Sequence, residues 1–448
     1  MSNQSLLQRR FKKEHDEQEI IVKKVEETEV HATDDEKQII QQVSERISNQ
    51  FKKELAETGF TPQLTEKIKQ AISKEANQLQ NCSFELQKRV EKIALANITG
   101  LGAITPFMQN PAITEIVVQR YDNICVEIDG RIYATKASFS DESTLRNIIN
   151  RIVQPVGRQI NLHTPIVDAR LADGSRVHAT IPPISPDGAT LTIRKFSDDV
   201  LSADDYLYKH QSLNQNMLTF LSTCVRGKES ILISGGTGSG KTTLLNMLSS
   251  YIPDDELIVT IEDDCELKLQ QHNVRRLESR NIETDDMKAI KIKDLVKTSL
   301  RMRPDRIIVG EIRDGSVVDM ITAMSTGHEG SMGTVHASSP TNLINTRMPV
   351  LYSMCEDAHF SEQSQMLQIS EAIHLIVQIS RMPDFSRKIT HITAIEGMDT
   401  TYNRIKLVDI FRYSPEKGYY ATGNKPKEII RRLKSRGITL DESIFENN

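Results

Sequence analysis

From Ile39 onward apolar residues recur at every fourth position: Ile39, Val43, Ile47, Phe51 and Leu55. That spacing gathers them on one helical face, and Gly59 ends the run. Phe60-Thr61-Pro62 opens a second helix carrying Leu64, Ile68, Ile72 and Leu79, and a third carries Leu86, Val90 and Ile93. After the glycines of ITGLGAI the period falls to two. TEIVVQR, NICVEID and RIYAT alternate as strands of a meander, with Asp129-Gly130 as a turn. A helix on Leu145, Ile148, Ile149 and Ile152 precedes further strands at VDARL, RVHATI and TLTIRKF. Beyond helices at 203–208 and 214–226, short apolar runs (SILIS, LIVTIE, RIIVG, GTVHA) alternate with helical stretches. One of these ends at Leu300 and another covers 315–325. Such alternation predicts an α/β domain with a doubly wound, mostly parallel sheet.

These changes of rhythm divide the chain into a charged arm over 1–36, expected to be disordered or loosely helical, a three-helix segment over 37–96 and an α+β domain over 97–200. A P-loop domain over 201–425 and a tail over 426–448 complete it. Two to three domains suit a chain of 448 residues. Charged residues make up 26% and the net charge is −5, so no global basic field invites nucleic acid or anionic lipid. Tryptophan is absent and aromatics are only 5%, which leaves little for stacking bases. The five cysteines lack CxxC spacing and fit reduced thiols better than a disulfide frame or a zinc site. No apolar run approaches a spanning helix, and the first residues hold no signal-peptide core. The expectation is a cytosolic protein that meets a membrane only through a partner.

ISGGTGSGKTTLL, residues 233–245, fits Gly-x-x-x-x-Gly-Lys-[Ser/Thr] and lies between an apolar run and a helical one. The cradle comprises Gly235, Gly236, Thr237, Gly238, Ser239, Gly240, Lys241, Thr242 and Thr243. Its glycines are expected at positive φ, so that backbone N–H groups turn inward around a phosphate next to a helix N-terminus. Lys241 is placed on the β/γ-phosphates of a nucleotide and Thr242 on Mg²⁺. Hydrolysis further needs acids that support Mg²⁺ and polarise water. RIIVGE ends in Glu311, although Gly310 stands where many P-loop enzymes carry Asp. LIVTIEDDCEL sets Glu262, Asp263 and Glu266 just past another strand. Glu311 and Asp263 are candidates for the metal shell; Glu262 and Glu311 compete as the acid that activates water. In STGHEGSMGTVHASSP, His328 and His336 are expected at the carboxyl edge of the sheet, sensing phosphate or linking to the acids.

GGTGSGKT, then IEDDCEL with VRRLESR, then LRMRPDRIIVGEIRD, then DMITAMSTGHEGSMGTVHASSP closely resembles the secretion ATPases of type II and type IV secretion systems. Within them it resembles the CpaF-like branch serving tight-adherence (Flp) pili. The four runs correspond to that family's Walker A, Asp box, Walker B and His box, and the Gly-Glu form of Walker B is the family's own. The resemblance extends through GLGAITPFMQNPAITEIVV and DARLADGSRVHATIPPISPDGATLTIRKF and covers roughly 97–400. PDFSRKITHITAIEG departs from the usual Asp-Gly-Ser-Arg wording of a late hairpin. The resemblance implies a RecA-like ATPase domain, a homohexameric ring, ATP between the two main domains, and an inner-membrane platform protein as partner. It also implies arginines of the α+β domain on the phosphates, by motif Arg176 and Arg194, with Arg301 and Arg303 as weaker candidates. The leading expectation is a motor that powers pilus assembly or secretion from the inner face of the membrane. A nucleic-acid motor of the same type, or a nucleotide-gated scaffold without turnover, are the alternatives.

Overall fold

The computed structural model describes residues 34–58, 62–79, 83–128, 130–196, 200–280, 288–355, 360–399, 401 and 404–446. Most of the arm expected over 1–36 falls outside them. The chain forms two compact units, divided between residues 198 and 199.

Among the described residues, three helices come first in the first unit, α1 (Asp34–Thr58), α2 (Pro62–Asn77) and α3 (Phe84–Thr99). Ile40, Val43, Ile47, Phe51, Leu64, Ile68, Ile72, Val90, Ala94 and Ile98 close a core among them. Ile39 is only partly buried at its rim, and the side chain of Leu55 lies outside the described residues. Ser83 caps α3 by accepting a hydrogen bond from the Leu86 N–H at 3.2 Å. The boundary expected between 96 and 97 falls inside α3. Arg151 ties that helix end to the next layer, Nη1 donating to the carbonyls of Asn97 and Gly100 at 2.8 and 2.7 Å.

The alternating segments form β1 (Ile113–Arg120), β2 (Asn123–Ile128) and β3 (Arg131–Ala134), then α4 (Glu142–Val153). There follow β4 (Ile166–Arg170), β5 (Arg176–Thr180) and β6 (Thr190–Arg194). They make one antiparallel sheet ordered β3-β2-β1-β6-β5-β4. Its apolar face, including Ile116, Val177, Leu191 and Ile193, packs with Leu145, Ile148, Ile149 and Ile152 of α4. Polar side chains alternate onto the other face.

The second unit contains α5 (Gln215–Arg226), β7 (Ile231–Gly235), α6 (Lys241–Ser249), β8 (Ile258–Glu262), β9 (Val274–Glu278) and α7 (Ile292–Ser299). Next come β10 (Arg306–Ile312), α8 (Ser316–Ser325), β11 (Met332–His336), α9 (Met348–Ser353) and α10 (Glu362–Ala372). β12 (Leu375–Arg381), β13 (Arg387–Asp399), β14 (Arg404–Ser414), β15 (Gly418–Ala421) and α11 (Lys427–Ser435) complete it. The helix expected at 203–208 is a π-turn at Asp205–Lys209. The nine strands run β15-β14-β13-β12-β7-β11-β10-β8-β9, parallel from β12 to β9 and antiparallel from β12 to β15. Alternation in β7 feeds two cores: Ile231 and Ile233 face one, Leu232 the other. Apolar runs buried on both faces mark a parallel sheet covered on both sides.

In the segment expected as a tail over 426–448, the described residues 426–446 are packed rather than solvated. Ile429 and Leu433 of α11, together with Phe445, belong to the first of these cores. Phe445 meets Phe220 of α5 edge-on, ring centroids 5.5 Å apart. Beneath α11, Glu229 is wholly buried at the foot of β7. It accepts from Arg432 Nε at 2.9 Å and pairs with Arg436 at 3.4 Å and with His374 Nδ1 at 2.8 Å.

Candidate active site

β7 delivers the chain into the glycine loop at its carboxyl end. Only Gly238 and Gly240 of the four loop glycines take positive φ, 67° and 94°. The expectation for Gly235 and Gly236 is therefore corrected. Gly235 is required for space, since a Cβ there would lie 2.4 Å from the Ile379 carbonyl oxygen and 2.5 Å from Ser239 Oγ. Gly236 leaves open space. Its carbonyl gathers three donors: Lys241 Nζ at 3.0 Å, Ser239 Oγ at 2.9 Å and the Ser239 N–H at 3.4 Å. Donors that converge on one oxygen are the set an anionic oxygen attracts. Thr237 is exposed on the loop, and Thr242 and Thr243 occupy the first turn of α6, whose N-terminus opens at Gly240.

Glu262 closes β8 and is 2% exposed. Oε1 accepts from the N–H groups of Glu266 and Leu267, each at 2.9 Å, whereas Oε2 is buried without a hydrogen-bond partner. Burial pushes the carboxyl up to about 7, with the two N–H groups acting in the opposite direction. The room for it comes from the neighbouring strand. A Cβ on Gly310 would stand 3.0 Å from Glu262 Cγ and 3.4 Å from Oε1. Gly310 therefore gives up a side chain so that a carboxylate from β8 can stand beside β10. The chain after Glu262 is fastened to the phosphate-loop helix: the Lys268 N–H donates to Asn246 Oδ1 at 3.0 Å, and Gln271 Nε2 to the Ser249 carbonyl at 2.8 Å.

Glu311, near the end of β10, is more open, its side chain 36% exposed and 3.6 Å from Arg313 Nε. Arg313 also bonds Asp263, which in turn accepts from Ser279 Oγ at 2.8 Å. Asp263, expected in a metal shell, thus has its carboxylate engaged by an arginine and a serine. His336 ends β11 beside the first loop glycine, Cα to Cα with Gly235. His328 corrects the expectation: it precedes β11, at the amino end of the sheet, and its Nδ1 lies 2.9 Å from the Pro304 carbonyl. Arg303 sits in a left-handed turn at φ 56°, next to Arg301 in the short helix ahead of β10.

In the first unit, strand register sets Arg170, Arg176 and Arg194 in one row across β4, β5 and β6, continued by Glu115 and Glu127. Arg170 is tied locally, Nε donating to the Gly174 carbonyl at 3.2 Å. Arg176 and Arg194 are thus side by side on the polar face. Three residues were missed in the sequence: Gly310 as the space for Glu262, Arg313 between two acids, and Asn246 anchoring the Asp-box segment. Cross-strand and cross-loop contacts carry each, and the linear pattern marks none of them.

A glycine loop at the carboxyl edge of a parallel sheet, with buried and half-open acids on neighbouring strands, defines the class of P-loop nucleotide hydrolases. The chain belongs to the type II/IV secretion system protein family, whose model matches residues 97–413, and it is an ATPase. It is 33% identical to the type IV secretion system protein VirB11 of Bartonella quintana, over 56% of this chain and 79% of that one. It is 30% identical to the conjugal transfer protein TrbB of Rhizobium radiobacter, over 63% of this chain and 87% of that one. The crystal structure of the VirB11 ATPase from the Brucella suis type IV secretion system, in complex with sulphate, matches 65% of this chain and 92% of that one. The identity there is 25% and the TM-score 0.36. Among the described residues no helix is long and apolar enough to cross a membrane.

Proposed function

We propose that the chain is the motor of a pilus-assembly or secretion machine, hydrolysing ATP with Mg²⁺ as a homohexamer at the inner face of a membrane and acting on an inner-membrane platform protein. The CpaF-like resemblance favours Flp-type pili within that range. The observation that carries the catalytic part is Glu262, buried and raised to about 7, with Oε2 unpartnered and with Cγ and Oε1 seated in the space left by Gly310. A base poised near the working pH is the most effective. Glu262 takes the proton from the attacking water as the bond between the γ-phosphorus and the β,γ-bridging oxygen breaks. Lys241 and the loop N–H groups hold the β- and γ-phosphates. Thr242 and Glu311 fit a hard-cation shell of hydroxyl and carboxylate oxygens, whereas Asp263, held by Arg313 and Ser279, does not. Mg²⁺ supplies charge neutralisation at the phosphate oxygens. Arg176 and Arg194 supply further positive charge to the phosphates, His336 supports the loop from β11, and no nucleic acid is needed as a track.

Lys241→Ala tests the cradle: ATP affinity and nearly all turnover are expected to vanish, and wild-type affinity in that variant would overturn it. Arg176→Ala and Arg194→Ala should each lower turnover by up to ~10³; normal rates would return both to ordinary surface cations. Light-scattering mass with a non-hydrolysable ATP analogue, measured beside turnover over a range of concentrations, tests the ring. A monomer with full, concentration-independent activity would refute it.

A further inference from the structure

The hairpin that departs from the family's wording, PDFSRK, packs on the phosphate loop. We propose that it is a positioning element for that loop, in which Arg387 fixes the loop backbone and Arg381 adds a second guanidinium, so that together they tune affinity for the polyphosphate end of the nucleotide. This rests on the reading of the glycine loop as the nucleotide site.

Arg387 Nε donates to the Gly238 carbonyl at 3.2 Å. The same side chain lies against Gly240, where a Cβ would meet its Cδ at 3.1 Å, and a Cβ on Gly238 would meet Arg381 Nη1 at 3.8 Å. Each left-handed glycine of the loop is therefore faced by one arginine. In a planar trans peptide the carbonyl of residue 238 and the N–H of Ser239 point in opposite directions. Pinning that carbonyl to Arg387 aims the Ser239 N–H back into the loop, where it joins Lys241 on the Gly236 oxygen.

The hairpin is built to hold this position. Its turn closes with the Met382 N–H on the Ser386 carbonyl at 2.8 Å, and Asp384 Oδ1 accepts from Ser386 N and Oγ at 3.0 and 2.6 Å. Phe385 takes φ 65°, a costly conformation for an aromatic residue, and its ring lies 4.8 Å beneath the Arg381 guanidinium. At the root, Lys388 Nζ donates to the carbonyls of Gln211 and His210 at 2.6 and 3.1 Å, and the Ile389 N–H to Ser212 at 2.9 Å. Two cations fixed beside a phosphate cradle attract a ligand according to its charge.

The test is competition binding of ATP, ADP and AMP, with steady-state kinetics, in Arg387→Ala, Arg381→Ala and Arg387→Lys. Arg387→Ala should weaken ATP and raise KM by about tenfold, the scale of one hydrogen bond from a charged donor. The loss should shrink from ATP to ADP to AMP, kcat should fall far less than KM rises, and the unfolding midpoint should stay in place. Arg381→Ala should follow the same order with a smaller effect, and Arg387→Lys should recover part of the loss. Unchanged KM, an equal loss for all three nucleotides, or a fall in kcat alone would overturn the proposal. Lys241→Ala in the same assay separates the readings: if that variant binds ATP normally, the loop reading fails, and if only the hairpin variants do, this inference fails alone.

Discussion

Two buried glutamates on one sheet have opposite surroundings. Glu229, at the foot of β7, is wholly buried and shares its carboxylate among His374, Arg432 and Arg436. Burial would raise its pKa, but the hydrogen bond and charge of His374, with those of Arg432, hold it below the usual range. Glu262, at the carboxyl end of β8, is almost as buried, yet it receives only two backbone N–H groups and is pushed up to about 7. A fold fastens a charge that it needs for stability by satisfying every lone pair. It leaves a lone pair unmet where a ligand is to satisfy it. The amino end of the sheet is thus a clamp for α11, and the carboxyl end is where hydrolysis is proposed to take place.

The sharpest way to break this comparison is to neutralise each acid. Glu262→Gln should keep ATP binding while hydrolysis falls by ~10²–10⁴, the range for a lost general base; a deficit in binding instead would assign Glu262 to the metal shell. Glu229→Gln should do the reverse, costing about 3–5 kcal/mol in urea unfolding because Arg432 and Arg436 lose their buried partner. The folded fraction should hydrolyse ATP normally.

The pH dependences should also differ in sign. Glu262, raised in the folded state, stabilises fully below about pH 4.5, and that contribution, about 3 kcal/mol, is lost as pH rises through about 7. Glu229, lowered in the folded state, stabilises above the ordinary carboxylate range, and its contribution is lost as pH falls through its folded value. Unfolding of Glu262→Gln should lack the first dependence between pH 5 and pH 8 and keep the second, which is read below the ordinary carboxylate range. Smaller still, Gly310→Ala should press a methyl onto Glu262 Cγ and slow turnover on the order of 10–10²-fold through misplacement of the acid. Full activity in that variant would mean the fit between the two strands is immaterial.

The parts readable from the sequence are those written in consecutive residues. The phosphate loop follows Gly-x-x-x-x-Gly-Lys-Thr, and β8 and β10 are mostly apolar, because parallel strands bury both faces. β9 went unseen as a strand because VRRLE lies at the sheet edge with its arginines exposed. The terminal segment resembled a solvated tail since Lys427, Arg431 and Lys434 are prominent in α11, while the buried residues are few and scattered: Ile429 and Leu433 in that helix, then Leu440, Ile444 and Phe445. His328 was misplaced by assuming that both histidines of one motif lie at one strand end; five residues of β11 separate the two ends. Glu262 was legible as a candidate, but its advantage over Glu311 was not. That depends on the Gly310 gap, a contact across strands.

Whether Glu262, seated against Gly310, is the base is decided by single-turnover ATP hydrolysis across pH in wild type, Glu311→Gln and Glu262→Gln. A rising limb centred near pH 7 is expected in wild type, retained at lower amplitude in Glu311→Gln and absent from the residual rate of Glu262→Gln. A limb that survives in Glu262→Gln and disappears in Glu311→Gln would contradict it and assign the base to β10.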